Sequence, residues 1–275
     1  MKHLKKYTES KYLRKDGKVF DCSNYNLKIL PPIPDTVEIL YCYNNDLKNL
    51  PELPKKLKYL YCGNNKLKEL LELPRGLKEL SCYNNDLKEL SRLPETIKKL
   101  YCDNNKLKEL PELPDIVEIL YCYDNKLKEL PELPKGLKFF WCYNNNLKEL
   151  PRLPKKLEYL WCYNNKLKEL PELPKGLKKL WCYNNKLKEL PLLPKELEIV
   201  NCSDNNLKEL PELPKGLKYF YCYSNNLSKL PRLFKGLNHL NCSDNNLPYD
   251  DLKGYWKWFY KQNSDFGEAE KMGLI

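Results

Sequence analysis

All twelve cysteines of this chain fall on one arithmetic series, at positions 22, 42, 62 and so on to 242. Asparagine keeps the same step eleven times, from Asn45 to Asn245. Read from Leu57, the repeating unit is Leu57-x-x-Leu60-x-Cys62-x-x-Asn65-x-Leu67-x-x-Leu70-x-x-Leu73-Pro74, and its length does not vary between residues 37 and 247. A fixed step of this kind makes each copy one turn of a solenoid, touching only the turns before and after it. One turn cannot fold alone, because its few inward apolar side chains do not offset the entropy of ordering twenty residues. Stacking supplies the rest, by burying both flanks and pairing strand amides with the next strand.

Within the unit, Leu57 to Gly63 reads as a short strand. Alternation sends Leu60 and Cys62 to one face and Tyr59, Tyr61 and Gly63 to the other. Identical spacing stacks the strands in parallel, about 4.8 Å apart. Asn65 then turns the chain, and Leu67, Leu70 and Leu73 line its return. The recurring Leu-Pro-Glu-Leu-Pro phrase, as at 50–54, is extended, since proline fixes φ and keeps the residue before it out of the helical region. With 21 prolines against 10 glycines and no ten-residue helical stripe between strands, the outer side is expected to be polyproline-like or 3₁₀.

The motif LxxLxCxxNxLxxLPxLP resembles the leucine-rich repeat in its short twenty-residue form, as found in effector proteins of pathogenic bacteria and repeat proteins of giant DNA viruses. The resemblance spans residues 18 to 247. It implies a curved solenoid of about twelve parallel strands with a concave binding face. Four departures stand out: cysteine in place of an aliphatic residue, Tyr25 where the first asparagine belongs, Leu71 and Ser91 for the first proline, and Phe234 for the second.

The inward cysteines read as small buried hydrophobes. Parallel Cα–Cβ vectors put neighbouring Cβ atoms about 4.8 Å apart, beyond the roughly 3.5–4.5 Å a disulfide prefers, and zinc needs ligands that converge tetrahedrally. Twelve free thiols point to a reducing, cytoplasmic setting, the host cytoplasm if the chain is viral. The asparagine column reads as a structural filler of backbone hydrogen bonds at the turn. Lysines from Lys48 to Lys208 and glutamates from Glu69 to Glu209 read as a solvated outer surface whose adjacent rows offset each other.

The aromatic columns carry the functional signal. Tyr or Trp precedes the cysteine at 41, 61, 101, 121, 141, 161, 181 and 221, and Tyr follows it at 43, 83, 123, 143, 163, 183 and 223. Both columns face away from the leucine core. They are densest at Tyr121, Tyr123, Trp141, Tyr143, Trp161, Tyr163, Trp181 and Tyr183, which are taken as the binding residues. Two readings stay open: rings stacking across strands for stability alone, or an aromatic interaction surface. Gly63, Ser81, Asp103, Asn201, Ser203, Asn241 and Ser243 interrupt the columns and are expected to form its rim.

Three segments are expected: an N-terminal basic cap at 1–20, the repeats at 21–247, and a helical cap and tail at 248–275. Residues 1–20 hold seven basic against two acidic residues, with Leu4, Tyr7, Leu13 and Phe20 available to cover the first turn. Asp250 is a plausible N-cap for a helix over 250–262, with Leu252, Tyr255, Trp256 and Phe259 at helical spacing and DFGEAEKMGLI trailing after it. The start of the sequence lacks an apolar signal core, and no run of about 18 apolar residues suits a membrane span. The sequons at Asn201, Asn226 and Asn241 are therefore read as chance matches.

These features favour a non-catalytic protein- or peptide-binding scaffold. The runners-up are a stacking-based binder of single-stranded nucleic acid or glycans, and a self-assembling structural protein. The net charge of +11 is spread thinly over the repeats, which disfavours nucleic acid. No enzyme is expected: every cysteine lies in the repeats, and His239 and Cys242 point to opposite sides of one strand. No metal site or cofactor is expected either, and the oligomeric state is left open.

Overall fold

The computed structural model describes residues 11–262. It falls into two compact units, residues 1–147 and 148–275. The first holds β1 (Val19–Asp21), β2 (Ile39–Tyr41), β3 (Tyr59–Tyr61), β4 (Glu79–Ser81), β5 (Lys99–Tyr101), β6 (Ile119–Tyr121) and β7 (Phe139–Trp141). The second holds β8 (Tyr159–Trp161), β9 (Lys179–Trp181), β10 (Ile199–Asn201), β11 (Tyr219–Tyr221) and β12 (His239–Asn241), then α1 (Leu252–Gln262). In each unit neighbouring strands pair in parallel, residue i with i+20, as in Leu60↔Leu80 and Leu160↔Leu180.

Each strand is three residues long, not the seven that alternation suggested. The hydrogen bonds run on past it, with Lys58 N donating to Glu38 O at 2.8 Å and Cys62 N to Ser81 O at 2.8 Å. What ends the strand is the next corner. Asn64 takes a left-handed backbone with φ 52°, and the equivalent residue repeats this from Asn44 to Asp244. Asn and Asp tolerate that region better than other non-glycine residues. The turning residue is thus the one before the asparagine column.

The column itself holds the corner shut. Asn85 Oδ1 accepts from Leu67 N at 3.0 Å, while its Nδ2 donates to Cys62 O (3.1 Å), Cys82 O (3.1 Å) and Tyr83 O (3.2 Å). One amide therefore joins two turns and satisfies backbone groups that the bend would leave unpaired. The chain then returns extended, with one tight turn in which Leu57 N donates to Pro54 O at 3.0 Å.

Leu60, Leu80, Leu100 and Leu120 and the cysteines beside them are fully buried, with Phe140 and Phe220 in the same inward column. All twelve thiols are free and buried. Burial pushes the Cys62 and Cys182 thiols up to about 12. The lysines and glutamates at 68, 69, 88 and 89 are exposed, as expected. Ion pairs arise instead in the column ahead of the strand, as Lys58–Glu38 (2.6 Å), Lys138–Glu118 (2.9 Å), Lys178–Glu158 (2.7 Å) and Lys218–Glu198 (3.2 Å). Such solvent-screened pairs contribute little to stability.

At the N-terminal side Leu13 bridges antiparallel to Phe20, whose ring lies 5.7 Å from that of Tyr12. Leu4 and Tyr7 lie outside the described residues, as does the 265–275 tail. At the other end Cys242 N donates to Asp250 O at 2.8 Å and Tyr255 and Tyr260 are buried. The helix cap is Asp251, not Asp250: Asp251 Oδ1 accepts from Gly254 N at 2.6 Å. Asp250 is taken up in the hydrogen bond to Cys242, so the helix starts two residues later than its spacing suggested.

Asn85→Ala removes four side-chain bonds from the buried corner and is expected to destabilise by at least about 2 kcal/mol in urea melts. Lys88→Ala, on the exposed row, should stay within about 0.5 kcal/mol of the parent. Equal midpoints for the two variants would contradict the role given to the amide.

Candidate binding surface

The residues on either side of each buried cysteine share the face opposite the core, and there the rings stack. In the first unit Tyr121 and Trp141 lie 3.8 Å apart with planes 1° from parallel, and Tyr123 and Tyr143 lie 4.3 Å apart at 10°. Tyr123 also meets Trp141 at 6.3 Å and 47°, which ties the two columns together. The second unit repeats the arrangement: Trp161–Trp181 at 4.9 Å and 16°, Tyr163–Tyr183 at 4.3 Å and 10°, and Tyr163–Trp181 at 6.4 Å and 47°.

Four of the eight expected residues stack within the first unit and four within the second. Stacking leaves every one of them half-buried, not broadly exposed. The Trp181 indole N–H is buried and has no hydrogen-bond acceptor among the described residues. Burial, and then the neighbouring Tyr163, hold the Tyr183 hydroxyl above the ordinary phenol range.

Two of the polar interruptions are not a rim. Ser81 (7 % exposed) and Asp103 (4 %) are more deeply buried than the rings around them. They lie in a shallow recess of about 270 Å³, lined also by Tyr83, Tyr101, Tyr121 and Tyr123. Sequence reasoning placed them outside the patch because it compared each position with its own column. Spacing offered one usable signal: positions 63, 81 and 103, all small or acidic, fall close together, and each stands in a column otherwise rich in aromatics.

Asp103 is the one buried charged residue among the described residues. Asn104 Nδ2 lies 3.3 Å from its Oδ2, and the Tyr123 hydroxyl is turned to the same carboxylate. Burial dominates, with a smaller push from Asp124, so its ionisation is raised above the usual carboxylate range. Burial raises Tyr83, Tyr121 and Tyr123 and the thiols of Cys82, Cys102 and Cys122, and the Asp103 charge adds a smaller push to each.

His239 is exposed beside the Tyr221 ring at 5.0 Å, and the buried Cys242 sulfur faces Tyr249 O at 3.6 Å. The two form no pair. Among the described residues no helix is long and apolar enough to cross a membrane.

Comparison with known proteins fits this geometry. A model of leucine-rich repeats, two copies, matches residues 155–195. YopM from Yersinia enterocolitica is 36% identical, with a TM-score of 0.71, over 79% of this chain and 53% of its own. This chain therefore spans about half the length of that protein. YopM from Yersinia pestis, a leucine-rich effector protein, is 32% identical, with a TM-score of 0.69, over 88% of this chain and 83% of its own. The functional domain of InlJ from Listeria monocytogenes, described as including a cysteine ladder, is 22% identical with a TM-score of 0.56 over 83% of this chain and 63% of its own, a likeness of fold alone. No curated protein matches the chain.

Asp103→Asn keeps the shape and removes the buried charge. A carboxyl with a raised folded pKa holds its proton longer in the folded chain than in the unfolded one. It therefore costs stability as pH rises above about 4, and the full cost is present above its folded pKa. Asp103→Asn should raise the urea midpoint at pH 7, and the gain should vanish as pH falls towards about 4. A gain that is unchanged at low pH, or a loss at pH 7, would contradict the raised ionisation.

Proposed function

The chain belongs to the leucine-rich repeat family, and from that premise we propose that it is a non-catalytic scaffold that holds a protein or peptide on its aromatic face. The carrying observation is the ring ladder of each unit, Tyr121/Tyr123/Trp141/Tyr143 in the first and Trp161/Tyr163/Trp181/Tyr183 in the second, set on short parallel strands. Rings already fixed by stacking lose little freedom on binding, and Tyr and Trp dominate the energetics of protein contacts. The resemblance to an effector protein supports a protein partner.

Catalysis finds little support in the thiols. A nucleophilic cysteine needs a lowered pKa and access, whereas these sulfurs are buried with raised pKa values. Twelve free thiols favour a reducing compartment. Nucleic acid is disfavoured because the basic side chains of the ion-paired column are spent on glutamates one turn away.

The test replaces Trp161 and Trp181 together by Ala. A partner captured by the parent chain is identified, produced alone and titrated against both forms. The double variant should keep its circular dichroism and bind at least about 30-fold more weakly. Equal affinity would overturn the reading.

A further inference from the structure

Over β4 to β6 the ring columns open. Ser81 stands where neighbouring turns carry Tyr or Trp, and Asp103 where they carry Tyr. The recess this leaves is shaped on three sides. Tyr83 is drawn back over Gly63, where any Cβ would collide with its ring, and its hydroxyl accepts from Asn64 Nδ2 at 3.3 Å. Tyr101 stands edge-on to Tyr121, at 5.1 Å and 77°, whereas Tyr41–Tyr61 and Tyr121–Trp141 lie flat on each other. Tyr101 and Tyr121 therefore do not lie flat on each other, as the rings of the neighbouring turns do. In the floor lies Asp103, which makes no ion pair among the described residues. Glu79, on β4, is by contrast bridged by Lys99 at 3.2 Å.

A buried carboxylate without a cation is costly. Here it sits where the repeat's own pattern calls for tyrosine, a residue that would fill the space and remove the cost. We propose that the recess formed by Ser81, Tyr83, Tyr101, Asp103, Tyr121 and Tyr123 receives the side-chain ammonium of a lysine presented by the protein partner. This rests on the scaffold reading above and adds the chemistry of one anchor to it. The ammonium is compact and carries three donors. Asp103 supplies the opposite charge and tyrosine π-faces attract the cation. Ser81 Oγ and the tyrosine hydroxyls accept the remaining N–H groups. A recess of about 270 Å³ also admits the alkyl stem, which packs against the rings.

The probe is Nα-acetyl-lysine methylamide, titrated into the full chain while the ring resonances of Tyr101 and Tyr121 are followed. Its Nε-acetylated counterpart and Nα-acetyl-arginine methylamide are the comparison arms. Saturable shifts with the lysine probe are expected, with at least tenfold weaker binding of the acetylated form, about 1.4 kcal/mol, and weaker binding of the arginine form. Asp103→Asn should weaken the lysine probe at least about tenfold while the chain stays folded. Asp103→Tyr, which restores the residue of that column, should abolish the shifts. No saturable shift, equal binding of the acetylated probe, or no change in Asp103→Asn would each overturn the proposal. Those results leave the scaffold reading standing so long as the Trp161/Trp181 double variant still loses its partner. Loss of the lysine effect together with an unaffected double variant removes both.

Discussion

Everything on the outer face of this sheet follows from what is buried beneath it. Leu60 and Cys62 point inward, so Tyr61, between them, and the residue after the cysteine must point outward. A strand admits no other choice, because successive side chains take opposite sides. Parallel pairing at a twenty-residue register then brings each outward residue beside its counterpart in the next turn. The aromatic ladders are thus a consequence of the buried leucines and thiols, and their stacking distances reflect the spacing between strands.

The corner after the strand makes that register rigid. It uses two residues in two ways. The first, Asn64 and its equivalents, supplies a left-handed backbone. The second, Asn65 and its equivalents, supplies an amide that bonds into both its own turn and the one before. The second role was legible in the sequence, since asparagine never gives way from Asn45 to Asn245. The first was hidden, because Asp124, Ser224 and other substitutes share it. The recurring Asn-Asn doublet carried that information: residues that tolerate left-handed φ keep returning at its first position. The solenoid, the inward thiols and the C-terminal helix could likewise be read from spacing alone. The helix start could not, because Asp250 and Asp251 are both fit to cap, and only the strand-like bond from Cys242 decides between them.

The arrangement of the candidate surface was legible in part. Column counting found the eight rings but overstated their exposure, because it cannot see that rings one turn apart cover each other's faces. It also treated Ser81 and Asp103 as edge residues. Their depth depends on larger neighbours on either side, and on Tyr83 leaning over Gly63. A small residue in a column of large ones makes a hollow, and here a buried carboxyl lines it. The repeat thus has two vocabularies: consensus positions hold the fold, and departures from consensus carry what distinguishes one stretch of the surface from another.

The central claim, that thiols inward force rings outward, is tested most directly by counting reactive thiols. The native chain, without reductant, is exposed at pH 8 to a small aromatic disulfide reagent, and the count is repeated in strong denaturant. Buried thiols should give almost no native reaction over minutes and twelve reactive thiols once unfolded. Several thiols reacting in the native chain, or fewer than twelve in denaturant because some are joined in pairs, would contradict it.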